Sequence, residues 1–345
     1  MTTSQFTPYR RVLTILVIAG LLLAACSGAA TPVPTQAPPA QPTPAPATTQ
    51  PTAQQPTAGA KPYIPVISRG YPYIPFWQLV EQGTEKAAKE FNVDTTFEGP
   101  NTDEVAGQLK LLQAAIEKKP AAICLAAVDS KAALPLLEKA KAANIPVIGF
   151  DSAVDSDIPA ATAATDNIAA AAMAADKMAK LIGGSGEVAI IAHDQTSRTG
   201  IDRVKGFADQ IRVKYPKIAI VDTQYGNDAE SLTKTVIQAH PNLKGLFGTN
   251  EGSIVGVLDA AQALDVGGKV VIIGYDAGSQ QKDAIRSGLE AGAIAQDPIN
   301  MGYKCIEAAV KAARGETLPK NIDTGFKWYD KTNMADPAIA PLLYD

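Results

Sequence analysis

The side chains able to do chemistry recur at one kind of place. Each stands at the end of a short apolar run. Arg69 follows YIPVIS, Asp129 follows AAICLAAV, Asp151 follows IPVIGF, and His193 and Asp194 follow EVAIIA. Gln224 and Tyr225 come after IAIV, Asn250 after LKGLFG, Asp276 after VVIIGY, and Gln296 closes AIAQ. The chain has few aromatics (10 Tyr, 8 Phe and 2 Trp), yet Tyr71, Tyr73, Phe76 and Trp77 crowd together just past the first run. Carboxylates and amides accept and donate to pairs of hydroxyls, and flat rings cover C–H faces, so this set suits a neutral polyhydroxyl ligand.

Catalytic patterns are missing. No phosphate-cradling glycine loop follows a strand; Gly183-Gly184-Ser185-Gly186 precedes one and reads as a turn. No GxSxG elbow occurs, and Ser197 near His193 has no acid partner placed by the sequence, which disfavours a hydrolase. The two histidines stand apart and no metal-ligand spacing occurs, so no cofactor and no metal are expected. The net charge of −4, with no basic stripe, speaks against nucleic acid as a partner.

The elements that must position these residues alternate. Helix-like stretches (Phe76–Phe91, Asp103–Lys118, Lys131–Ala143, Asp166–Leu181, Thr199–Val213, Asp228–Ala239 and Ser253–Leu264) separate the Val- and Ile-rich runs. Strand–helix alternation implies parallel sheets covered on both faces, and there are too many units for one such sheet. Two lobes are expected. A faint internal likeness agrees: Ile145-Pro-Val-Ile-Gly-Phe-Asp151-Ser152 resembles Val270-Val-Ile-Ile-Gly-Tyr-Asp276-Ala277. In open α/β sheets ligands bind at the carboxyl ends of strands, where the polar residues lie. Some of these acids serve the fold instead: Asp129 and Asp166 read as caps of the helices that follow.

The N-terminus is a separate matter. Arg10 and Arg11 precede an apolar run, Val12 to Ala25, of signal-peptide rather than membrane-spanning length. It ends Leu23-Ala24-Ala25-Cys26, which resembles a bacterial lipoprotein signal, with Cys26 the lipidated residue. From Ala29 to Ala60 every residue but Val33 and Gly59 is Ala, Thr, Gln or Pro. Such a segment cannot offset its chain entropy and is expected to be an extended, disordered stalk. Of the remaining cysteines, Cys124 lies in a strand-like run and Cys305 in a helix-like one. Both read as small buried hydrophobes rather than a disulfide.

Several marks together carry a resemblance: Pro75-Phe76-Trp77, Gly149-Phe-Asp-Ser152, Thr165-Asp-Asn167, Asp202-Arg-Val-Lys-Gly-Phe207, Ala239-His-Pro241 ahead of Asn250, Gly274-Tyr-Asp276 and Ala295-Gln-Asp-Pro298. In order and spacing, residues 61–330 resemble the ribose- and galactose-type periplasmic sugar-binding proteins of ABC transporters. The resemblance implies the type I periplasmic binding protein fold, two doubly wound parallel-sheet α/β lobes joined by a three-segment hinge near Thr165, Asp297 and Gly325. It places residues 1–25 as the signal, 26–60 as the lipidated cysteine and stalk, 61–165 with 297–325 as one lobe, and 166–296 with 326–345 as the other.

It also implies roles. Phe76 and Trp77 stack on the sugar; Asp151, Asn250, Asp276 and Gln296 hold its hydroxyls; Tyr225 adds a second aromatic wall. Departures bear on the ligand. Ribose binders carry Asn where this chain has Ile74 and Arg where it has Ser152, and their second cleft Arg falls at Ile201, for which Arg198 is the substitute; Arg203 matches a family arginine but reads as structural. The expectation is a hexose or cyclic polyol rather than ribose, bound by a monomeric extracytoplasmic lipoprotein. That protein touches the membrane through its anchor alone and delivers ligand to the permease and ATPase of an importer. A sensor passing ligand state to a chemoreceptor or kinase is the alternative. A LacI-type repressor shares the fold but would need a DNA-binding segment where the signal and stalk lie.

Overall fold

The computed structural model describes residues 61–70, 74–101 and 104–345; the signal, Cys26 and the stalk lie outside the described residues. The chain runs β1 (Tyr63–Ile67), α1 (Pro75–Phe91), β2 (Asp94–Glu98), α2 (Val105–Glu117), β3 (Ile123–Leu125), α3 (Leu134–Ala142), β4 (Val147–Phe150) and β5 (Ala161–Ala164). It continues α4 (Asn167–Leu181), β6 (Gly186–Ala192), α5 (Arg198–Lys214), β7 (Ile218–Tyr225), α6 (Ala229–Ala239), β8 (Leu243–Gly248), α7 (Glu251–Ala263), β9 (Val271–Tyr275), α8 (Ser279–Ser287) and β10 (Gly292–Gln296). It closes with α9 (Pro298–Ala313), β11 (Asn321–Asp323), β12 (Phe326–Tyr329) and a short 3₁₀ turn at Ala340–Leu342.

Two six-stranded sheets result, ordered β11-β5-β4-β3-β1-β2 and β12-β10-β9-β8-β6-β7. The orders match strand for strand, so β4 and β9, the carriers of the internal likeness, occupy the same place in their sheets. Every pairing is parallel except β10 with β12. Parallel strands are buried on both faces, which is why β1, β3, β4 and β8 read as nearly unbroken apolar runs. Strands such as β2 (DTTFE) and β5 (ATAA) lack that signature because β2 is a half-buried edge and β5 packs small residues.

The chain passes between the sheets after β5, after β10 and after β11, and the three crossings are bonded to one another. Thr165 Oγ1 donates to Gln296 Oε1 at 2.8 Å, the Thr324 N–H donates to the Ala164 carbonyl at 3.1 Å, and Asn300 Nδ2 donates to the Thr324 carbonyl at 3.1 Å. Asp166 and Asp297 cap α4 and α9, and Gly325 takes a positive φ of 85°.

One expectation is corrected. Cys124 and Cys305 are bonded to each other, their Cα atoms 6.3 Å apart and 181 residues apart in sequence. Each is completely buried, as read, but β3 and α9 face one another across the first lobe's core. Sequence distance hides that pairing: only the return of α9 from the second crossing brings the two together.

Candidate ligand-binding site

The strand ends of both sheets border one cleft of about 800 Å³ between the lobes. Its two principal acids are built alike. Asp151 follows β4 and Asp276 follows β9; each adopts positive φ (52° and 79°), and each donates its N–H to the neighbouring strand, at Ala163 and Ile294. A left-handed aspartate is uncommon and persists where the surroundings over-determine it. The glycine two residues earlier is required by packing. A Cβ on Gly149 would lie 2.7 Å from Thr162 Oγ1, and one on Gly274 would lie 2.5 Å from Glu290 Oε1. The Gly-aromatic-Asp pattern is therefore a tightly packed strand end, pressed on β5 at Gly149 and on Glu290 and the side chains of α7 and α8 at Gly274, that turns its acid into the cleft.

The two acids then differ. Asp276 accepts from Gln296 Nε2 at 2.7 Å and from the Glu251 N–H at 2.9 Å, so both its oxygens are engaged. The Asp151 side chain accepts no hydrogen bond from any described residue and is only 6% exposed. Burial pushes its carboxyl up to about 6 against the opposing pull of Arg203 and Arg69. Glu251, beside Asp276, is pushed up to about 7, first by burial and then by Asp276, while the Tyr344 hydroxyl, 3.2 Å from its Oε2, pulls the other way.

The structure brings together seven of the eight residues expected in the cleft: Phe76, Trp77, Asp151, Tyr225, Asn250, Asp276 and Gln296 all line it. Their settings refine the expectation. Phe76 and Trp77 meet edge-to-face (5.0 Å, 86°) and are 8% and 6% exposed, so they belong to the first lobe's core as well as to the cleft wall. Asn250 caps α7, accepting from the Ser253 N–H at 2.8 Å through Oδ1. Gln296 spends its amide on Thr165 and Asp276, which makes it the link between hinge and acid. Asp129 does not cap α3, whose N-cap is Ala133 without a side-chain bond. Its carboxylate instead accepts from the Lys131 and Ala132 N–H groups in a local turn ahead of that helix, because the helix starts five residues after the strand-end acid rather than directly behind it.

Arg198 does not join them. It faces a neighbouring recess of about 280 Å³ that shares only Asp151 with the cleft, and is bonded to Asp202 and to Asp155. Arg203 stands five residues further along α5, about 140° of rotation away, on the face that lines the cleft. Arg203 is structural, as read, and also lines the cleft. Its guanidinium carbon sits 3.7 Å from the Tyr275 ring centroid, with Nε donating to Asn167 Oδ1 (2.7 Å) and NH1 to the Thr249 carbonyl (2.9 Å).

Three further groups line the cleft: two that the sequence reading placed at strand ends without an individual role, and one that it did not name. Arg69, from the end of β1, reaches across the cleft to donate to Asp194 Oδ2 (2.9 Å) and Thr199 Oγ1 (2.7 Å). Asp194 is held by its own helix start, accepting from the Thr196 and Ser197 N–H groups and the Ser197 hydroxyl. Burial opposes its charge, yet His193, Arg69 and the Ser197 N–H hold its carboxyl at about 2, so it is ionised at neutral pH. Glu251 is the third; an acid next to an N-cap reads as a favourable partner of the helix dipole and so conceals a cleft position.

The comparisons with known proteins agree with this geometry. The model of the periplasmic binding protein domain matches residues 66–317. A carbohydrate transporter solute binding protein of Agrobacterium radiobacter, solved with D-arabinose, is 32% identical with a TM-score of 0.78, the match covering 83% of this chain and 100% of that one. An ABC transporter solute binding protein of Agrobacterium vitis, bound to α-D-tagatopyranose, is 31% identical with the same TM-score of 0.78 and the same coverage of 83% and 100%. The D-allose-binding periplasmic protein of Escherichia coli is 26% identical over 270 residues, 74% of this chain and 86% of its own length. The chain belongs to the periplasmic binding protein family, in its ribose- and galactose-type group, whose members here are named as binding proteins and not as enzymes.

Proposed function

We propose that this protein binds a monosaccharide other than ribose, a hexose or cyclic polyol, between its two lobes and hands it to an ABC importer. The observation that carries the reading is the pair Asp151 and Asp276, set at equivalent strand ends of two sheets and turned into one cleft beside Phe76, Trp77 and Tyr225. Hydrogen bonds from sugar hydroxyls to buried carboxylates are charge-assisted, and rings flank C–H faces. Asn250 and Gln296 serve the ligand from the second lobe and the hinge. The lobes are residues 61–165 with 297–325, and 166–296 with 326–345; Tyr344, at the end of the second, also meets Phe76 of the first, ring centroids 6.3 Å apart.

The protein acts as a monomer, outside the cytoplasm, tethered by a lipid on Cys26 through the stalk. The Cys124–Cys305 disulfide supports that compartment, because such bonds persist where the surroundings are oxidising. Two experiments test the proposal. Calorimetric titration of residues 61–345 against a library of monosaccharides and polyols should find a saturable ligand; no binding across the library defeats the sugar assignment. Cys26→Ala should free the full-length protein from membranes on fractionation, and continued membrane association would place the anchor elsewhere.

A further inference from the structure

The cleft is two-faced. Among the described residues the first lobe contributes five apolar side chains to it, Ile74, Phe76, Trp77, Val105 and Val128, and the polar Arg69 and Asp151. Arg69 is already committed to Asp194 and Thr199 of the other lobe, which leaves Asp151 as that wall's hydroxyl acceptor. The second lobe's wall is almost wholly polar, from His193 through Tyr225 and Asn250 to Asp276.

At the cleft edge α1 starts on an apolar residue that lines the wall. Ile74 occupies the N-cap of α1, in extended backbone (φ −73°, ψ 134°), and makes no side-chain cap. Isoleucine is among the poorest N-cap residues, and Asn, Asp or Ser there would satisfy an orphaned N–H. A residue that breaks a local rule at a cleft marks a functional demand. Here the demand is for hydrocarbon facing the ligand.

We infer that the ligand presents an unhydroxylated carbon to this wall: a deoxy sugar, specifically a 6-deoxyhexose whose methyl group lies against Ile74, Val105 and Val128. This rests on the sugar-binding reading above and narrows it. A hydroxymethyl group in the same place would surrender its water and find no partner among the described residues, whereas a methyl group gains by leaving water. The remaining ring hydroxyls face Asp151 and the polar wall, where acceptors and donors are plentiful.

The test uses matched pairs that differ only in the C6 hydroxyl: fucose with galactose, rhamnose with mannose, and quinovose with glucose, in both enantiomeric series, titrated calorimetrically against residues 61–345. In whichever configuration binds, the 6-deoxy member should bind at least ten-fold tighter. Ile74→Asn, which supplies α1 with a good cap and should therefore fold well, and the near-isosteric Val128→Thr should each reduce that ratio. Equal or tighter binding of the hydroxymethyl member overturns the inference and leaves the sugar-binding reading intact. A deoxy preference that neither substitution alters overturns it too, because the preference would then arise elsewhere. If no sugar of any pair binds, both the inference and the reading beneath it fall.

Discussion

The two lobes share a strand order but divide their labour. In the second, helices α5, α6 and α7 begin on Ser197, Asp228 and Asn250, each accepting from an N–H of its own first turn. In the first, α1, α2 and α3 begin on Ile74, Glu104 and Ala133, with no side-chain cap. Among the described residues of the cleft the second lobe thus presents a pre-bonded polar surface, while the first presents hydrocarbon and Asp151, whose carboxyl accepts no hydrogen bond from them. Matching backbones have been given different surfaces, and the ligand is the object that fits between them. Stabilisation is divided as well: among the described residues the disulfide lies wholly in the first lobe, tying β3 to α9.

The largest effect expected from this contrast is on stability. Cys124→Ala with Cys305→Ala should destabilise the first lobe by about 3–5 kcal/mol, the range for closing a loop of 50 residues or more. If the second lobe stays folded while the first opens, the effective loop is the shorter path through the hinge, which favours the lower part of that range. Chemical denaturation with and without reductant measures it. Unchanged unfolding of the double variant would mean that the first lobe does not depend on its staple.

The next effect is on the unsatisfied acid. Holding the Asp151 carboxyl at about 6 rather than 3.8 corresponds to about 3 kcal/mol. Below pH 3.8 the group is protonated in folded and unfolded chains alike and costs nothing. As pH rises the unfolded chain ionises first, so the penalty grows until about pH 6 and is complete above it. Glu251 extends the same trend to about 7. Asp151→Asn should therefore stabilise the ligand-free protein at pH 8 and not at pH 3.5. Sugar hydroxyls that donate to the carboxylate should draw its pKa down, so binding releases protons around pH 5 and weakens as pH falls below 6. Unfolding at the two pH values, and titration in buffers of different ionisation enthalpy, check the two halves. A stability difference independent of pH would show that Asp151 is not held protonated by burial.

Much of this was legible in the sequence, and the exceptions have physical causes. Seven helices could be read because buried strands and amphipathic helices leave different periodicities. The fold class could be read because strand–helix alternation admits few architectures. Asp151 and Asp276 announced themselves through the repeated Gly-aromatic-Asp, a pattern held by a neighbouring strand at Gly149 and by Glu290 and helix side chains at Gly274. Arg198 lines the neighbouring recess and not the cleft because it stands five residues, about 140° of helix rotation, from Arg203 on α5, and spacing to a distant motif does not fix that rotation. Arg69 and Asp194 were legible as strand-end residues, but their bond to each other was not, and neither was the disulfide, for a shared reason: each depends on a partner brought close only by the meeting of two lobes or by the last helix.

Truncating the acids compares the lobes directly. Asp151→Ala and Asp276→Ala should each cost about 1.5–3 kcal/mol in binding, ten-fold to more than a hundred-fold in Kd. The two should differ in their side effects. Losing Asp276 also strands Gln296 Nε2 and the Glu251 N–H, so that variant should lose stability, while Asp151→Ala should gain it at neutral pH. Calorimetric affinities alongside thermal unfolding separate the cases. Unchanged affinity in both variants would put the ligand outside this cleft.

The smallest effect asks whether a residue of the pre-bonded wall can serve fold and ligand together. Asn250 Oδ1 is committed to the Ser253 N–H, and the residue borders the cleft, so its Nδ2 group is the part available to a sugar hydroxyl. Asn250→Ser keeps an oxygen that caps about as well as asparagine but removes the amide donor. It should leave stability within about 0.5 kcal/mol while lowering affinity by about 1 kcal/mol, the value of one ordinary hydrogen bond. Asn250→Ala should match that loss of affinity and destabilise by a further ~1 kcal/mol through the lost cap. Asp129→Ala supplies the control: its carboxylate bonds only N–H groups of its own turn, so it should lose about 1 kcal/mol of stability and no affinity. If Asn250→Ser binds like the parent, Asn250 is a cap alone, and the second lobe's polar wall would then hold its ligand from Asp276 and its neighbours without help from the start of α7.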